Sequence, residues 1–441
     1  MGTYSLSKLE RFTMQKPFTN LEIFNLVEFA EKNLVDKNGE YRHELNNEGL
    51  SDILIYNDLG DIVPFLLELG KYEILNRIIE SLKARTNTET YLVSRSKTLN
   101  RFRGLVKSYD YTDFLIGLEE LNRTCLETKV NGLLKQYIDQ TISIFRLDGK
   151  HSSYFYPKLK IRFPIVDSRD TTFIEIFCDL SDRLNDEYYK DLAFEIFLRF
   201  KKIREKEKLS LLPDFDMNYL IQKITKSKKQ YSLMKNHTNT LHAYLRLYEI
   251  TQNKEVLNEI NEIFLNCCSS FCISKGKFSD SPSTNSSKAS LKASFALIEF
   301  ICDFYILVKN DSVLSIGLEI ANFWISIIGS TGLFPMDSDS TMSFIDSQTD
   351  MIISLWRLAG LTGDKTIMDA ADSAYHALCE YHGRQGYPLN VDVNTGEVID
   401  KTVRTKFVFL FIKAVIAYDK RCKNISLLNS QPELRRLLRD R

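Results

Sequence analysis

The chain has 441 residues, a formal net charge of zero, 44% hydrophobic and 26% charged residues. Zero net charge argues against a nucleic-acid binder, which would carry a basic face. No run reaches the roughly 18 apolar residues of a membrane span; the longest, Phe407 to Ala417, is interrupted by Lys413.

The first residues, MGTYSLSKLERF, hold no apolar leader segment, so no secretory signal is expected. Met-Gly followed by Ser5 matches a myristoylation signal only loosely, because Leu6 stands where serine is needed. The eight cysteines show no C-x-x-C pairing. They read as buried free thiols of a reducing, cytoplasmic compartment.

Beyond the N-terminus the chain reads as a repeat of helix pairs. Apolar residues recur at i, i+3, i+4 and i+7 on both sides of very short breaks. These breaks are Gly70-Lys71, Asn122 to Thr124, Asn185-Asp186, Thr251 to Lys254, Asn310-Asp311 and Thr362 to Lys365. The clearest helical stretches are Leu241 to Leu265 and Ile352 to Leu378. Breaks this short make the flanking helices antiparallel neighbours.

Long connections rich in Gly, Ser, Asp and Pro alternate with the short ones: 36–56, 86–108, 147–170, 208–235, 274–287, 330–345 and 384–401. The helices after them begin near Asn57, Asp110, Asp170, Lys235, Lys288, Asp346 and Thr402. The recurrence of about 58 residues exceeds the common solenoid repeats. We therefore expect an all-α protein, an α/α toroid of six or seven helical hairpins, as one domain over 1–441. The helices after the long loops form its inner ring. The first outer helix, near Asn20 to Lys32, would pair with the helix beginning at Asn57. An open α-solenoid is the rival architecture.

The inner-helix starts are polar. Asn57, Asp58 and Asp61 open the first, Tyr109, Asp110 and Asp113 the second, Arg169 and Asp170 the third. Asn236, His237, Asn239 and His242 open the fourth, and Lys288 and Lys292 the fifth. Asp346, Gln348 and Asp350 open the sixth, Arg404 and Lys406 the seventh. Aspartates at i,i+3 or i,i+4 share a helix face, and carboxylates on opposite sides of a pocket suit glycoside hydrolysis.

The candidate catalytic acids are thus Asp58, Asp113, Asp346 and Asp350, facing the cavity, with His237 as proton shuttle. Candidate substrate ligands are Asn57, Asp61, Tyr109, Asp110, Asn239, Lys292, Gln348, Arg404 and Lys406. Arg404 and Lys406, as cations in a first helical turn, would hold a sugar carboxylate. The aspartates also suit plain helix caps, and both readings stand at this level. His237 and His242 point roughly 140° apart on a helix and cannot share a metal. No metal and no cofactor are expected; the expected partner is an oligosaccharide or sugar derivative, acidic in character.

The stretch Asp346 to Asp419 contains SLWRLAGLTGD, GYPLNVDVNTGEVIDK and TKFVFLFIKAVIAYD. In order and spacing it resembles the end of the family-47 glycosidases, the processing α-mannosidases of the seven-pair toroid. That family carries Arg-Pro-Glu where this chain has Ser347, Gln348 and Thr349, and Glu-Ser where it has Val403 and Arg404. Its calcium-binding threonine has no counterpart. The resemblance implies architecture and not mannosidase activity.

Asp337 to Met342 (DSDSTM) is similar to the Asp-rich element of class II terpene cyclases, where Asp339 would match the protonating aspartate and Ser340 replaces an acid. Cys379 to Gly383 (CEYHG) is faintly similar to the zinc motif of lanthionine cyclases. The expected function is a carbohydrate-active enzyme: a glycoside hydrolase, or a sugar or uronate epimerase or lyase. A non-catalytic glycan- or protein-binding toroid and a terpene-cyclase-like enzyme are the alternatives.

Overall fold

A computed structural model describes residues 20–37, 40–51, 56–86, 105–122, 127–163, 166–207, 211–212, 233–282, 286–385 and 388–423. The leader reading at MGTYSLSKLERF, the Asn57 side chain, Cys125, Lys226 to Lys229 and the His382 side chain lie outside them. The helices are α1 (Asn20–Leu34), α2 (Val63–Glu68), α3 (Tyr72–Thr86), α4 (Thr112–Asn122), α5 (Glu127–Phe145), α6 (Thr172–Leu184) and α7 (Glu187–Glu207). They continue as α8 (Met234–Thr251), α9 (Lys254–Phe271), α10 (Leu291–Val308), α11 (Asp311–Ser326), α12 (Ile345–Thr362), α13 (Lys365–Gln385) and α14 (Thr405–Lys423).

These elements fall into two compact units. One is drawn from Ile53–Ile273 and Ser279–Ser287, the other from Met1–Asp52, Ser274–Phe278 and Lys288–Asp440. In the first, α4 packs on the 3-10 turn Tyr56–Asp61 and on α6, and α6 packs on α8. Helices α3, α5, α7 and α9 back these as an outer layer. In the second, α12 lies between α10 and α14, with α11 and α13 behind. Helix α1 packs on α14.

The inner helices are the buried ones. In α12 every residue from Ser347 to Ala359 is buried, as is Ala293 to Phe304 of α10. An inner helix needs apolar residues nearly all round because neighbours cover it on three sides.

The tight turns share one chemistry. Helices α6, α8, α10 and α12 end on a left-handed residue: Asn185 (φ 50°), Gln252 (50°), Lys309 (53°) and Gly363 (72°). The next residue accepts a backbone N–H two places on through its side chain: Asp186 from Tyr188, Asn253 from Glu255, Asn310 from Ser312 and Asp364 from Thr366. One residue stops the inner helix and the next caps the outer one.

The long connections carry small antiparallel sheets, which the sequence reading left as loops. In the first unit β3 (Val106–Lys107), β4 (Tyr154–Tyr156) and β5 (Ile161–Phe163) form one sheet. In the second, β1 (Glu44–Asn46) pairs with β2 (Gly49–Leu50) and with β11 (Val403–Arg404). There too β9 (Asn390–Asp392) pairs with β8 (Met342–Phe344) and β10 (Val398–Asp400). β6 (Cys272–Ser274) and β7 (Lys277–Phe278) complete the set. β8 and β11 lead directly into α12 and α14, so a strand sets where each of these inner helices starts.

Close packing of α4 depends on a glycine. A Cβ on Gly117 would lie 2.5 Å from Leu59 Cβ and 2.7 Å from its carbonyl carbon. Gly117→Ala should lower unfolding stability by about 1–3 kcal/mol, even though alanine favours a helix by about 1 kcal/mol. Urea melts of both proteins check this.

Candidate active site

Three inner helices of the second unit each carry charges along one face. On α10 these are Lys292, Glu299 and Asp303, on α12 Asp346, Asp350 and Arg357, and on α14 Lys406 and Lys413. The spacings of four, seven and eleven residues align them on each helix. Glu299, Asp303, Asp350, Arg357 and Lys413 are all 4% exposed or less. Arg357 Nη2 donates to Asp303 Oδ1 at 2.5 Å. Lys413 Nζ lies 3.7 Å from Asp350 Oδ1.

This leaves three acids against two cations. Glu299 absorbs the imbalance. Burial raises its carboxyl to about 8, and the charges of Asp350 and Asp303 push the same way against Lys413 and Arg357. Its Oε1 has no hydrogen-bond partner among the described residues. Near neutrality Glu299 therefore keeps its proton, while Asp350 stands beside the Lys413 ammonium. Burial relaxes toward the helix starts. Asp346, with a side chain 15% exposed, lies 3.9 Å from Lys292, whose side chain is 46% exposed. Lys292 also lies over the Phe344 ring, 5.8 Å from its centre.

The remaining expectations fare unevenly. Asp350 is buried at 4% exposure. Gln348 is no ligand donor: its amide is spent on the backbone of Phe334, accepting from its N–H and donating to its carbonyl, both at 2.8 Å. His237 is no proton shuttle. It is fully buried, and burial pushes its imidazole down to about 3, so it stays neutral at physiological pH. Its ring sits 5.8 Å from that of Phe271.

Arg404 is not in a helical first turn. It lies in β11, opposite Glu44 of β1, with Nε 3.4 Å from Glu44 Oε2. The helix-dipole argument therefore does not apply to it, and a carboxylate of the chain already faces it. Lys406 does stand in the first turn of α14, half-buried. Asp339 sits in a surface turn, its side chain 54% exposed and 3.9 Å from Lys288. A carboxyl so open to water lacks the shielding that a hydrocarbon-protonating acid needs.

In the first unit Asp58 and Asp61 are buried on the turn Tyr56–Asp61. Asp113 is half-buried in the first turn of α4, which packs against that turn. Asn239 is half-buried early in α8. Tyr109 and Asp110, also half-buried, lie in a 3-10 turn (Ser108–Asp110) before α4. Arg169 stacks on Tyr109, its guanidinium carbon 3.6 Å from the ring centre.

Glu299, Asp303, Arg357 and Lys413 were not among the expected site residues. Their signal was present: Glu299 and Asp303 stand at i,i+4 within LKASFALIEFICDFYILV, and Lys413 is the charge that interrupts the longest apolar run. A charge in the middle of an all-round apolar helix has to be paired inside the protein. Among the described residues no three His, Cys, Asp or Glu side chains group to hold a metal, and no helix is long and apolar enough to cross a membrane.

No family model matches the chain, and no curated protein matches its sequence. Solved structures do match. A cellobiose 2-epimerase from Bacillus thermoamylovorans superposes with a TM-score of 0.51 at 12% identity, over 91% of this chain and 99% of its own. A D-mannose isomerase gives 0.55 at 9% identity, over 96% and 100%. An unsaturated glucuronyl hydrolase specific for heparin gives 0.52 at 11% identity, over 91% and 96%. The fold is an α/α toroid. These structures do not confirm the likeness to family-47 glycosidases, and at such identity they speak for the fold alone.

The raised Glu299 carboxyl has a defined effect on stability. Its contribution is fully present below pH 4.5 and is lost as pH rises through about 8. Thermal melts between about pH 5 and about pH 9 should show wild type losing several degrees of Tm that Glu299→Gln retains. Parallel profiles would mean that Glu299 does not titrate there. In the same cluster, Arg357→Met should cost about 3–5 kcal/mol by stranding Asp303, and adding Asp303→Asn should restore most of it.

Proposed function

We propose that the chain is a carbohydrate-active enzyme that works by proton transfer to and from a sugar through two carboxyl groups. One observation carries this reading: two buried carboxyl groups, Glu299 and Asp350, stand on neighbouring inner helices in different surroundings, Asp350 3.7 Å from the Lys413 ammonium and Glu299 with an oxygen that has no hydrogen-bond partner among the described residues. Paired acids with separated pKa values are what general acid–base chemistry on a sugar requires, whether at a glycosidic oxygen or at a ring carbon. Glu299 would donate the proton. Asp350, beside the Lys413 ammonium, would accept one or stabilise positive charge. Asp346 and Lys292, at the more exposed end of the stripe, would meet the sugar hydroxyl groups. The similar folds support the substrate class, since their names place an epimerase, an isomerase and a glycan hydrolase on this architecture.

The same cluster also supports a second reading, a toroid that binds a glycan or protein without chemistry. The pairs Arg357–Asp303 and Lys413–Asp350 neutralise each other within a packed layer, as a purely structural network would.

The two readings separate by experiment. The purified chain should be assayed on a panel of disaccharides, uronates and aryl glycosides for new reducing ends or isomerised sugar. Glu299→Gln and Asp350→Asn should each lower turnover by about 10²–10⁴-fold, with Glu299→Gln still folded. Turnover that survives both substitutions would move the chemistry elsewhere. Binding without turnover in wild type would favour the second reading.

A further inference from the structure

The sheet that leads into α12 brings an aromatic ring and a buried amide together. Strands β8 and β9 pair so that Ser343 stands opposite Val391 and Phe344 opposite Asn390. Residues alternate between the faces of a sheet, and directly opposed residues share a face. Ser343 and Val391, both 0% exposed, mark the face turned into the core. Phe344 and Asn390 share the other face. Asp400 of β10 stands opposite Asn390 in turn, which extends the row across three strands. Phe344 and Asp400 are part exposed.

Asn390 is 7% exposed, and its Oδ1 has no hydrogen-bond partner among the described residues. A buried amide oxygen left in that state is costly. The side chains on either side cannot supply the donor. Phe344 has no polar atom. The Asp400 carboxylate, held below its usual pKa by the Thr402 N–H at 2.8 Å, only accepts. A hydroxyl group of a bound molecule would remove the cost.

Phe344 is also tied to the acids of the candidate site. Lys292 lies over its ring at 5.8 Å and reaches Asp346 at 3.9 Å. Phe344 precedes Asp350 by six residues, about 9 Å at the rise of a helix. That is wider than one pyranose ring. A sugar reacting at Asp350 would leave Phe344 uncovered, and the next ring of a chain would reach it. A pyranose has an apolar C–H face and a rim of hydroxyl groups. An aromatic ring beside an amide and a carboxylate matches both.

We infer that Phe344, Asn390 and Asp400 form a subsite for a second sugar ring, so that the substrate is a di- or oligosaccharide. This rests on the proposed function above. Phe344 stacks on the C–H face of the second ring. One hydroxyl of that ring donates to Asn390 Oδ1, which a turn about the terminal torsion offers to it, and another donates to Asp400. Asp346 and Lys292 lie between this ring and the reacting one.

Calorimetric titration of the full chain with cellobiose, D-glucose, α-1,6-mannobiose and D-mannose tests this. The Glu299→Gln protein serves as host, so that turnover cannot enter the measurement. At least one disaccharide should bind about tenfold more tightly than its own monosaccharide. Phe344→Leu, checked for an unchanged melt, should lose that advantage and leave monosaccharide binding within about twofold; Phe344→Tyr should keep it. Asn390→Ala should weaken the disaccharide more than the monosaccharide. Without any change in the sheet, saturation-transfer NMR on the host should show signal on both rings of the bound disaccharide.

No disaccharide binding, equal binding of each disaccharide and its monosaccharide, or saturation transfer confined to one ring would overturn the subsite. So would a folded Phe344→Leu protein that keeps the disaccharide advantage. Turnover of monosaccharide and disaccharide alike, unaffected by Phe344→Leu, would overturn the subsite and leave the proposed function standing. Disaccharide binding through Phe344 in a wild-type chain that turns over no sugar would overturn the proposed function and leave the subsite standing.

Discussion

Four of the inner helices end in the same two-residue device, a left-handed residue followed by an Asx cap. The geometry of this turn governs much else. A left-handed residue costs roughly 1–2 kcal/mol unless it is glycine, and an Asx cap returns about 1 kcal/mol. Asn185, Gln252 and Lys309 accept that strain because the turn closes each hairpin without spare chain. A helix that leaves at a fixed angle presents a fixed face to its neighbours. Charges spaced along α10 and α12 meet because both hairpins hold their inner helix in the same orientation.

That meeting of charges explains the polar content of an otherwise apolar layer. Five ionisable side chains at 4% exposure or less would be intolerable singly. Together they form two ion pairs beside one acid whose carboxyl burial pushes up to about 8. Ion pairs of this kind seldom add stability over apolar side chains of equal volume. Under the proposed function, proton transfer would give them a use that folding alone does not.

The repeat was legible because it rests on backbone rules that short sequences obey. Asn-Asp, Gln-Asn, Lys-Asn and Gly-Asp at the breaks are turn-forming pairs, and the periodicity around them is strong. The β-strands were not legible. At two or three residues, inside loops rich in Gly and Ser, they are too short to show an alternation. The site was half legible. Asp346 and Lys292 stand at helix starts, where polar residues draw notice. Glu299, Asp303 and Arg357 lie mid-helix, where apolar neighbours dominate the pattern. His237 misled because an imidazole reads the same in sequence whether its surroundings are wet or dry.

The second unit is stitched from both flanks of the first. Thr405 N–H donates to the carbonyl of His43 at 3.0 Å and its hydroxyl donates to the carbonyl of Arg42, 363 positions earlier. Leu45 of β1 opposes Val403 of β11, and the rings of Tyr41 and Phe409 meet edge to face at 5.9 Å. The first unit, nearly contiguous in sequence, has all its partners soon after each is made. Helix α1 lacks the α14 face it packs on, and strand β1 lacks its β11 edge, until the last helix leaves the ribosome. At about 5–20 residues per second that interval is roughly 20–70 s. Throughout it an apolar helix and an open strand edge stand unpaired, and during synthesis this early segment is where the nascent chain is most open to chaperones and to misassociation.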